Sequence, residues 1–107
     1  MRIEVAGKQH VVDSIVAGVS RRAAGIIKDS LQIAKRQDEL KSGENLAAIE
    51  EVLDQLSDLQ DRKVSLVVDA FKNKFSVDDL ESSLTMQEID KVINEIMGLV
   101  GRTVQKN

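Results

Sequence analysis

The sequence lacks cysteine, proline, tryptophan and tyrosine, and only two of its 107 residues, Phe71 and Phe75, are aromatic. Without cysteine there is no disulfide framework, no thiolate nucleophile and no zinc site with sulfur ligands. A core with so few aromatic rings has to be built from Leu, Ile, Val, Ala and Met. The absence of proline is compatible with long helices, because proline interrupts them.

An excess of one charge and long apolar runs are also missing. The chain has 15 Lys and Arg against 18 Asp and Glu, interspersed, for a net charge of −3. This balance gives no electrostatic reason to expect nucleic acid or an anionic membrane as the main partner. No apolar run reaches about 18 residues, the length of a membrane span. Hydrophobic residues make up 42% of the chain, which is too many for a disordered protein.

Few residues could support catalysis. His10 is the only histidine, and it lies in a predicted strand without a positioned partner, so a structural role is favoured over general-base catalysis. The neighbouring carboxylates Asp78 and Asp79 suit the start of a helix better than a metal ion. The six glycines are scattered and form no phosphate-binding loop. We therefore predict no enzymatic activity, no cofactor and no metal site.

The first two thirds of the chain predict a hairpin followed by two long helices. Residues 1–12 alternate between apolar and polar types around a turn at Gly7, which predicts two strands. Helical periodicity predicts one helix over about 20–40 and another over about 45–71, the latter either continuous or broken at 61–63. The apolar stripe of the first helix is Ala23, Ile26, Ile27, Leu31 and Ala34, and that of the second is Leu46, Ile49, Val52, Leu53, Leu56 and Leu59.

Two capping signals divide the last third. Ser76 followed by Asp79 predicts the start of a short helix over 77–84, and Thr85 followed by Glu88 predicts a capping box at the start of the last helix. Glycines near residue 100 favour the end of that helix, and 102–107 is predicted to be a flexible tail. The predicted fold class is mainly α, with four or five helices and a short N-terminal β-hairpin, in a single helical domain over 1–107.

The sequence resembles the tail assembly chaperones of long-tailed, siphovirus-type bacteriophages and prophages. The resemblance is strongest over 67–101, which contains VVDAFKNKFSVDDLESSL and MQEIDKVINEIMGLV, and looser over 1–12, MRIEVAGKQHVV. Residues 13–66 agree with the family only in being helical and charged. One departure lies at 81–83, Glu-Ser-Ser, where members of the family often carry glycine. The turn before the last helix can therefore differ from theirs.

The resemblance implies a function without catalysis. Such chaperones are expected in the host cytoplasm and are absent from the mature virion. They are thought to bind the tape measure protein, to keep it soluble and to help recruit tail tube subunits. The resemblance also implies a longer form, made by ribosomal frameshifting, that binds the tail tube protein. A homo-oligomer is expected because a domain this small leaves apolar helix faces uncovered.

Within the resembling block, six apolar residues are predicted to set the geometry of a partner-binding or inter-subunit surface: Phe71, Phe75, Leu80, Leu84, Ile89 and Ile96. Packing of the same residues in the monomer core explains them equally well. Two other functions stay open on the sequence. One is a self-associating cytoplasmic helical adaptor or scaffold. The other is a small nucleic-acid-binding regulator that would use Arg21, Arg22, Lys35 and Arg36. The acidic composition of the chain argues against this second function.

Overall fold

The computed structural model describes residues 1–40 and 46–105, with side chains as far as Leu99. Two strands come first, β1 at Arg2–Val5 and β2 at Lys8–Val11. Four helices follow within the described residues: α1 at Ala17–Leu40, α2 at Leu46–Ala70, α3 at Val77–Ser83 and α4 at Met86–Gln105. The predicted class, mainly α with an N-terminal β-hairpin, is confirmed.

The strands form an antiparallel hairpin that is fixed to the helices at its turn. Ala6 and Gly7 have φ values of 53° and 79°, as a two-residue type I′ turn requires. Ile3 and Val5 of β1 are buried, so the alternation in the sequence does place one face against the core. The backbone amide of Ala6 donates to the hydroxyl of Ser83 at 2.9 Å, which joins the turn to the end of α3.

The long helices differ from the sequence predictions at their boundaries. α1 begins at Ala17 rather than near residue 20, since the amides of Val19 and Ser20 already donate to the carbonyl of Val16. α2 begins at Leu46, and the predicted start at residue 45 lies outside the described residues. α2 is continuous through 61–63. The polar residues there interrupt the apolar pattern of the helix but do not break the helix.

α4 continues past both glycines that were predicted to end it. Gly98 and Gly101 lie inside the helix, which extends to Gln105. A glycine in a helix interior costs about 1 kcal/mol relative to alanine, so it weakens a helix without necessarily ending it. The predicted flexibility of 102–107 stays a prediction, and 106–107 lie outside the described residues.

α1 and α2 pair as an antiparallel helical hairpin with the spacing of a coiled coil. The facing positions recur at alternating steps of three and four residues. On α1 they are Val19, Ala23, Ile26, Ser30, Ile33, Gln37 and Leu40, and on α2 they are Ile49, Val52, Leu56, Leu59, Lys63, Leu66 and Ala70. The predicted stripe of α1 was wrong at Leu31 and Ala34, which are exposed, because Ile33 faces α2 instead.

The core lies at one end of this helical hairpin, where the β-hairpin, α3 and α4 also pack. Its largest fully buried side chains are Phe71, Leu66, Leu80, Ile89, Ile96, Val5 and Val67. The molecule measures 47 × 37 × 18 Å, with a radius of gyration of 15.6 Å. A compact chain of this length has a radius of gyration of about 13 Å. The difference reflects the other end of the helical hairpin, which extends away from the core.

The predicted N-cap Ser76 and the predicted capping box at Thr85 are both present, and Ser76 forms a capping box as well. At the start of α3, the amide of Asp79 donates to the Ser76 hydroxyl and the amide of Ser76 donates to the Asp79 carboxylate. Thr85 and Glu88 make the same reciprocal pair before α4, at 3.0 and 3.2 Å. The hydrogen bonds to the backbone and side chain of Thr85 lower the pKa of Glu88 from its ordinary value. These two pairs fix where α3 and α4 begin.

α2 ends in a Schellman motif without glycine. The amide of Asn73 donates to the carbonyl of Val68, and the amide of Lys72 donates to that of Asp69, both at 3.0 Å. Lys72 and Asn73 have φ values of 57° and 59°, in the left-handed region that favours glycine. These two non-glycine residues therefore adopt a strained backbone conformation where the chain reverses direction between α2 and α3.

A candidate partner-binding surface

The six residues predicted to set a partner-binding geometry lie in or beside the monomer core. Phe71, Leu80, Ile89 and Ile96 are at most 1% exposed, Phe75 is 7% exposed and Leu84 is half-buried. The structure therefore brings all six together, and their burial is what the core interpretation expects. Any role of theirs toward a partner or another subunit stays a prediction.

The two phenylalanines join the end of α2 to the β-hairpin. The ring centroids of Phe71 and Phe75 lie 5.7 Å apart, and the ring of His10 meets Phe75 edge-on with centroids 4.9 Å apart. Such edge-to-face contacts stabilise packed aromatic rings. His10 is half-buried, and its place in this stack gives it a packing role. The rings thus fix how the hairpin sits on the helices.

One side of the helical hairpin, here called the ion-paired side, is covered by polar contacts between α1 and α2. Arg22, Asp29 and Arg36 are spaced seven residues apart on α1, so they lie in one row. Their partners on α2 are Asp69 for Arg22, Arg62 for Asp29 at 2.8 Å, and Gln55 and Glu51 for Arg36 at 3.2 and 3.5 Å. Exposed ion pairs add little stability, but this row fixes the register of the two helices.

The opposite side of the helical hairpin, here called the open side, carries exposed apolar residues. Leu31, Leu53 and Leu46 expose 68%, 58% and 74% of their surface. Leu53 also lines a groove of about 490 Å³ at the end of the hairpin that is far from the core. This arm groove is lined by Ala34, Gln37, Asp38, Leu40, Ile49, Val52 and Leu53.

α4 covers the open side near the core and leaves the rest of it uncovered. Lys63 of α2 pairs with Asp90 of α4 at 2.8 Å. Ile93 of α4 lines a small cleft together with Ile27 and Leu31 of α1. Farther along the hairpin, the described residues that line the arm groove all belong to α1 and α2. An apolar groove on a small domain is the usual mark of a binding surface.

One charged residue, Asp38 of α1, lines the arm groove. Glu50, Asp54 and Asp61 of α2 and Lys28 and Lys35 of α1 are not part of its lining, and their spacing places them on the outer faces of the two helices. All five are exposed or half-exposed at the surface, and none makes an ion pair with another residue that the structure describes.

Helical periodicity alone did not distinguish the open side from the core. Leu31, Leu46 and Leu53 belong to the same predicted stripes as residues that are buried. A signal was present, because the apolar positions of α2 form a band wider than the single row that a two-helix contact needs. Leu46 and Leu53 are the additional positions in that band, and they are the ones left exposed.

The described part of the chain has no metal centre, no buried charge and no membrane-spanning helix. Within residues 1–40 and 46–99, no three His, Asp or Glu side chains are arranged to hold a metal ion. No polar or charged residue is buried in the described core. No helix there has both the length and the hydropathy to cross a membrane. The arrangement offers a mainly apolar groove between two helices.

A family model described as phage tail chaperone protein matches residues 17–107. The chain belongs to this family. Neither the curated proteins nor the solved structures provide a match. The matched range contains every described helix, both capping boxes and the arm groove, and it leaves out the β-hairpin. The family predicted from the sequence is confirmed, and membership implies that the partners of this tail chaperone are tail proteins.

Proposed function

We propose that this tail chaperone binds the tape measure protein, keeps it soluble and helps to recruit tail tube subunits during assembly. It acts in the host cytoplasm, without catalysis, and is absent from the mature virion. The observation that carries the proposal is the open side of the helical hairpin, where Leu31, Leu46 and Leu53 are exposed and Leu53 lines the arm groove. Membership of the tail chaperone family supports a tail protein as the partner.

The groove suits one helix of a long helical partner. Exposed apolar faces of such a chain aggregate unless they are covered, and a helix lying in an apolar groove is a common way to cover them. From Leu31 to Leu40, the open part of α1 is about 15 Å long at 1.5 Å per residue, which accommodates about three turns of a partner helix. A contact this short is weak enough for the chaperone to be displaced later.

Several copies would compensate for the weakness of each contact. Many chaperones along one tape measure protein add avidity without any single tight site. In this proposal the copies form a homo-oligomer along their target. A longer, frameshifted form of the chain contacts the tail tube protein and brings it to the coated tape measure protein.

The test is co-expression with the tape measure protein encoded by the same phage. The variant Leu31→Gln with Leu53→Gln removes apolar surface and keeps good helix formers. We expect wild type to keep the tape measure protein soluble and to co-purify with it, and the variant to lose most of both effects while its circular dichroism stays unchanged.

The matched control is Val16→Gln with Val77→Gln. These residues expose 63% and 40% of their surface and lie away from the groove, so the control is expected to behave like wild type. If the tape measure protein is equally insoluble with and without wild-type chaperone, the proposed function is wrong. If the control loses as much as the groove variant, the arm groove is not the binding surface.

A further inference from the structure

The outer edge of β2 carries backbone groups that the hairpin does not use. In an antiparallel pair of strands, directly opposite residues alternate between pairs that exchange two hydrogen bonds and pairs that exchange none. Met1 and Val12 exchange both bonds, each at 2.8 Å. Counted along the register from this pair, Gln9 and Val11 belong to the pairs that exchange none. Their N–H and C=O groups therefore point away from β1.

No described helix or strand covers this edge. Among the described elements, β2 packs against β1 alone, whereas β1 also packs against α3. The amides of Gln9 and Val11 have no hydrogen-bond partner in the described part of the chain. Val11 also exposes 56% of its surface. An uncovered strand edge is a ready template for pairing with another strand.

The outer edge of β1 differs, because α4 lies beside it. Arg2 and Glu4 carry the outward backbone groups of this strand. They line a groove of about 520 Å³ together with Glu88, Lys91 and Glu95 of α4. The hairpin of another folded chain would run into α4 at this place, so the β2 edge is the one that a folded chain can reach.

We propose that β2 pairs with β2 of a second copy, antiparallel, about a two-fold axis that passes beside His10. Gln9 of each copy then lies opposite Val11 of the other, and each of these pairs exchanges two hydrogen bonds. The two hairpins form one antiparallel sheet in the order β1, β2, β2, β1. This pairing rests on the homo-oligomer proposed above and supplies its interface, whichever tail protein is bound.

Only this register satisfies both residues within the straight part of the strand. An axis beside Gln9 would place Val11 opposite Gly7 of the second copy, which has φ of 79° in the turn. An axis beside Val11 would place Gln9 opposite Asp13, where the backbone bends. The axis beside His10 avoids the turn and the bend.

Opposite charges meet at both ends of the paired strands. In this register Lys8 lies opposite Val12 of the second copy, one residue from its Asp13. Lys8 and Asp13 are exposed, and neither makes an ion pair with another residue that the structure describes. The two-fold axis repeats the contact at the other end. A second copy thus carries the matching charge where the edge requires it, which favours self-pairing over a strand of another protein.

The experiment measures self-association of the full chain by sedimentation velocity over a series of concentrations, because an interface this small is weak. Gln9→Pro removes one outward N–H, and Glu4→Pro, directly opposite it in the hairpin, is the matched control. Proline is tolerated in an edge strand where the N–H faces outward. We expect wild type and the control to form dimers, and Gln9→Pro to dimerise at least about tenfold more weakly with unchanged circular dichroism.

An exchange of charges tests the register without changing the backbone. Lys8→Asp and Asp13→Lys each place like charges at both ends of the paired strands, so each variant alone should dimerise about tenfold more weakly than wild type. An equal mixture of the two variants should recover the association of wild type. In a mixed dimer every lysine again meets an aspartate, and a change in the stability of either monomer cannot produce this recovery.

Three results would overturn the inference. They are a wild type that stays monomeric at every concentration, a control that weakens association as much as Gln9→Pro, and a mixture that associates no better than its components. If wild type is monomeric and Gln9→Pro no longer co-purifies with the tape measure protein, the edge binds a strand of that partner instead. The proposed function fails separately, when the chain dimerises as expected but leaves the tape measure protein insoluble.

Discussion

Replacing Phe71 with alanine is expected to destabilise the domain by about 3–5 kcal/mol, the range for deleting a buried ring. The side chain is 1% exposed, and its ring centroid lies 5.7 Å from that of Phe75. The cavity left by the ring would lie between the end of α2 and the β-hairpin. We expect these elements not to move together far enough to fill it. Domains of this size have an unfolding free energy of roughly 5–15 kcal/mol, so the loss is a large fraction of the total.

The assay is urea unfolding of wild type and Phe71→Ala, followed by far-ultraviolet circular dichroism. Small domains lose about 1–3 kcal/mol of stability per molar urea, so the midpoint should fall by about 1 M or more while the slope stays the same. The double variant Phe71→Ala with Phe75→Ala should be largely unfolded before urea is added.

Leu53→Ala is the matched control, since it removes an apolar side chain that is 58% exposed. Its unfolding free energy should change by less than about 1 kcal/mol, because truncation of an exposed side chain opens no cavity. The reasoning is refuted if Phe71→Ala keeps the wild-type midpoint and loses its tail partner. In that case the ring contacts the partner, and the core assignment is wrong.

Three further changes test the local geometry. Lys72→Gly should raise the unfolding free energy by about 0.5–1 kcal/mol. Lys72 follows the end of α2 with φ of 57°, and glycine adopts that conformation without a Cβ clash. An unchanged or lower urea midpoint would contradict this. Ala6→Asn should also raise the midpoint, since asparagine tolerates φ of 53° in a type I′ turn better than alanine does. Hydrogen bonds to Thr85 lower the pKa of Glu88 in the folded protein. The charge of Glu88 therefore stabilises the fold fully at a pH above the ordinary pKa of 4.5. This contribution is lost as the pH falls through the lower pKa of the folded state. The midpoint difference between wild type and Glu88→Gln should therefore be larger at pH 7 than at pH 3, and a difference that does not depend on pH would contradict the capping interpretation.

Features that depend on a few neighbouring residues were predictable from the sequence. The N-cap at Ser76 and the capping box at Thr85 form where they were predicted, because the partner of each cap is three residues away. The turn at Gly7 was predictable for the same reason. The end of α4 was not, since glycine has only a modest helix cost that the rest of a long helix can offset.

The candidate site was less predictable than the fold. Periodicity shows that a residue lies on the apolar face of a helix, but it does not show which neighbour covers that face. Ile33 and Leu31 are both apolar and two residues apart, yet Ile33 is 8% exposed and Leu31 is 68% exposed. The difference comes from α2, which contacts the side of α1 that carries Ile33.

By itself, the sequence determined the helices, their caps, the hairpin and the family, since these follow from local hydrogen bonding, helical periodicity and a motif in one stretch of chain. Only the tertiary structure decided which apolar residues are core and which form a surface. Phe71 became core because the β-hairpin, α3 and α4 all meet at the end of α2. Leu53 became surface because α4 covers only the half of the helical hairpin nearest the core, and burial depends on contacts between residues far apart in the chain.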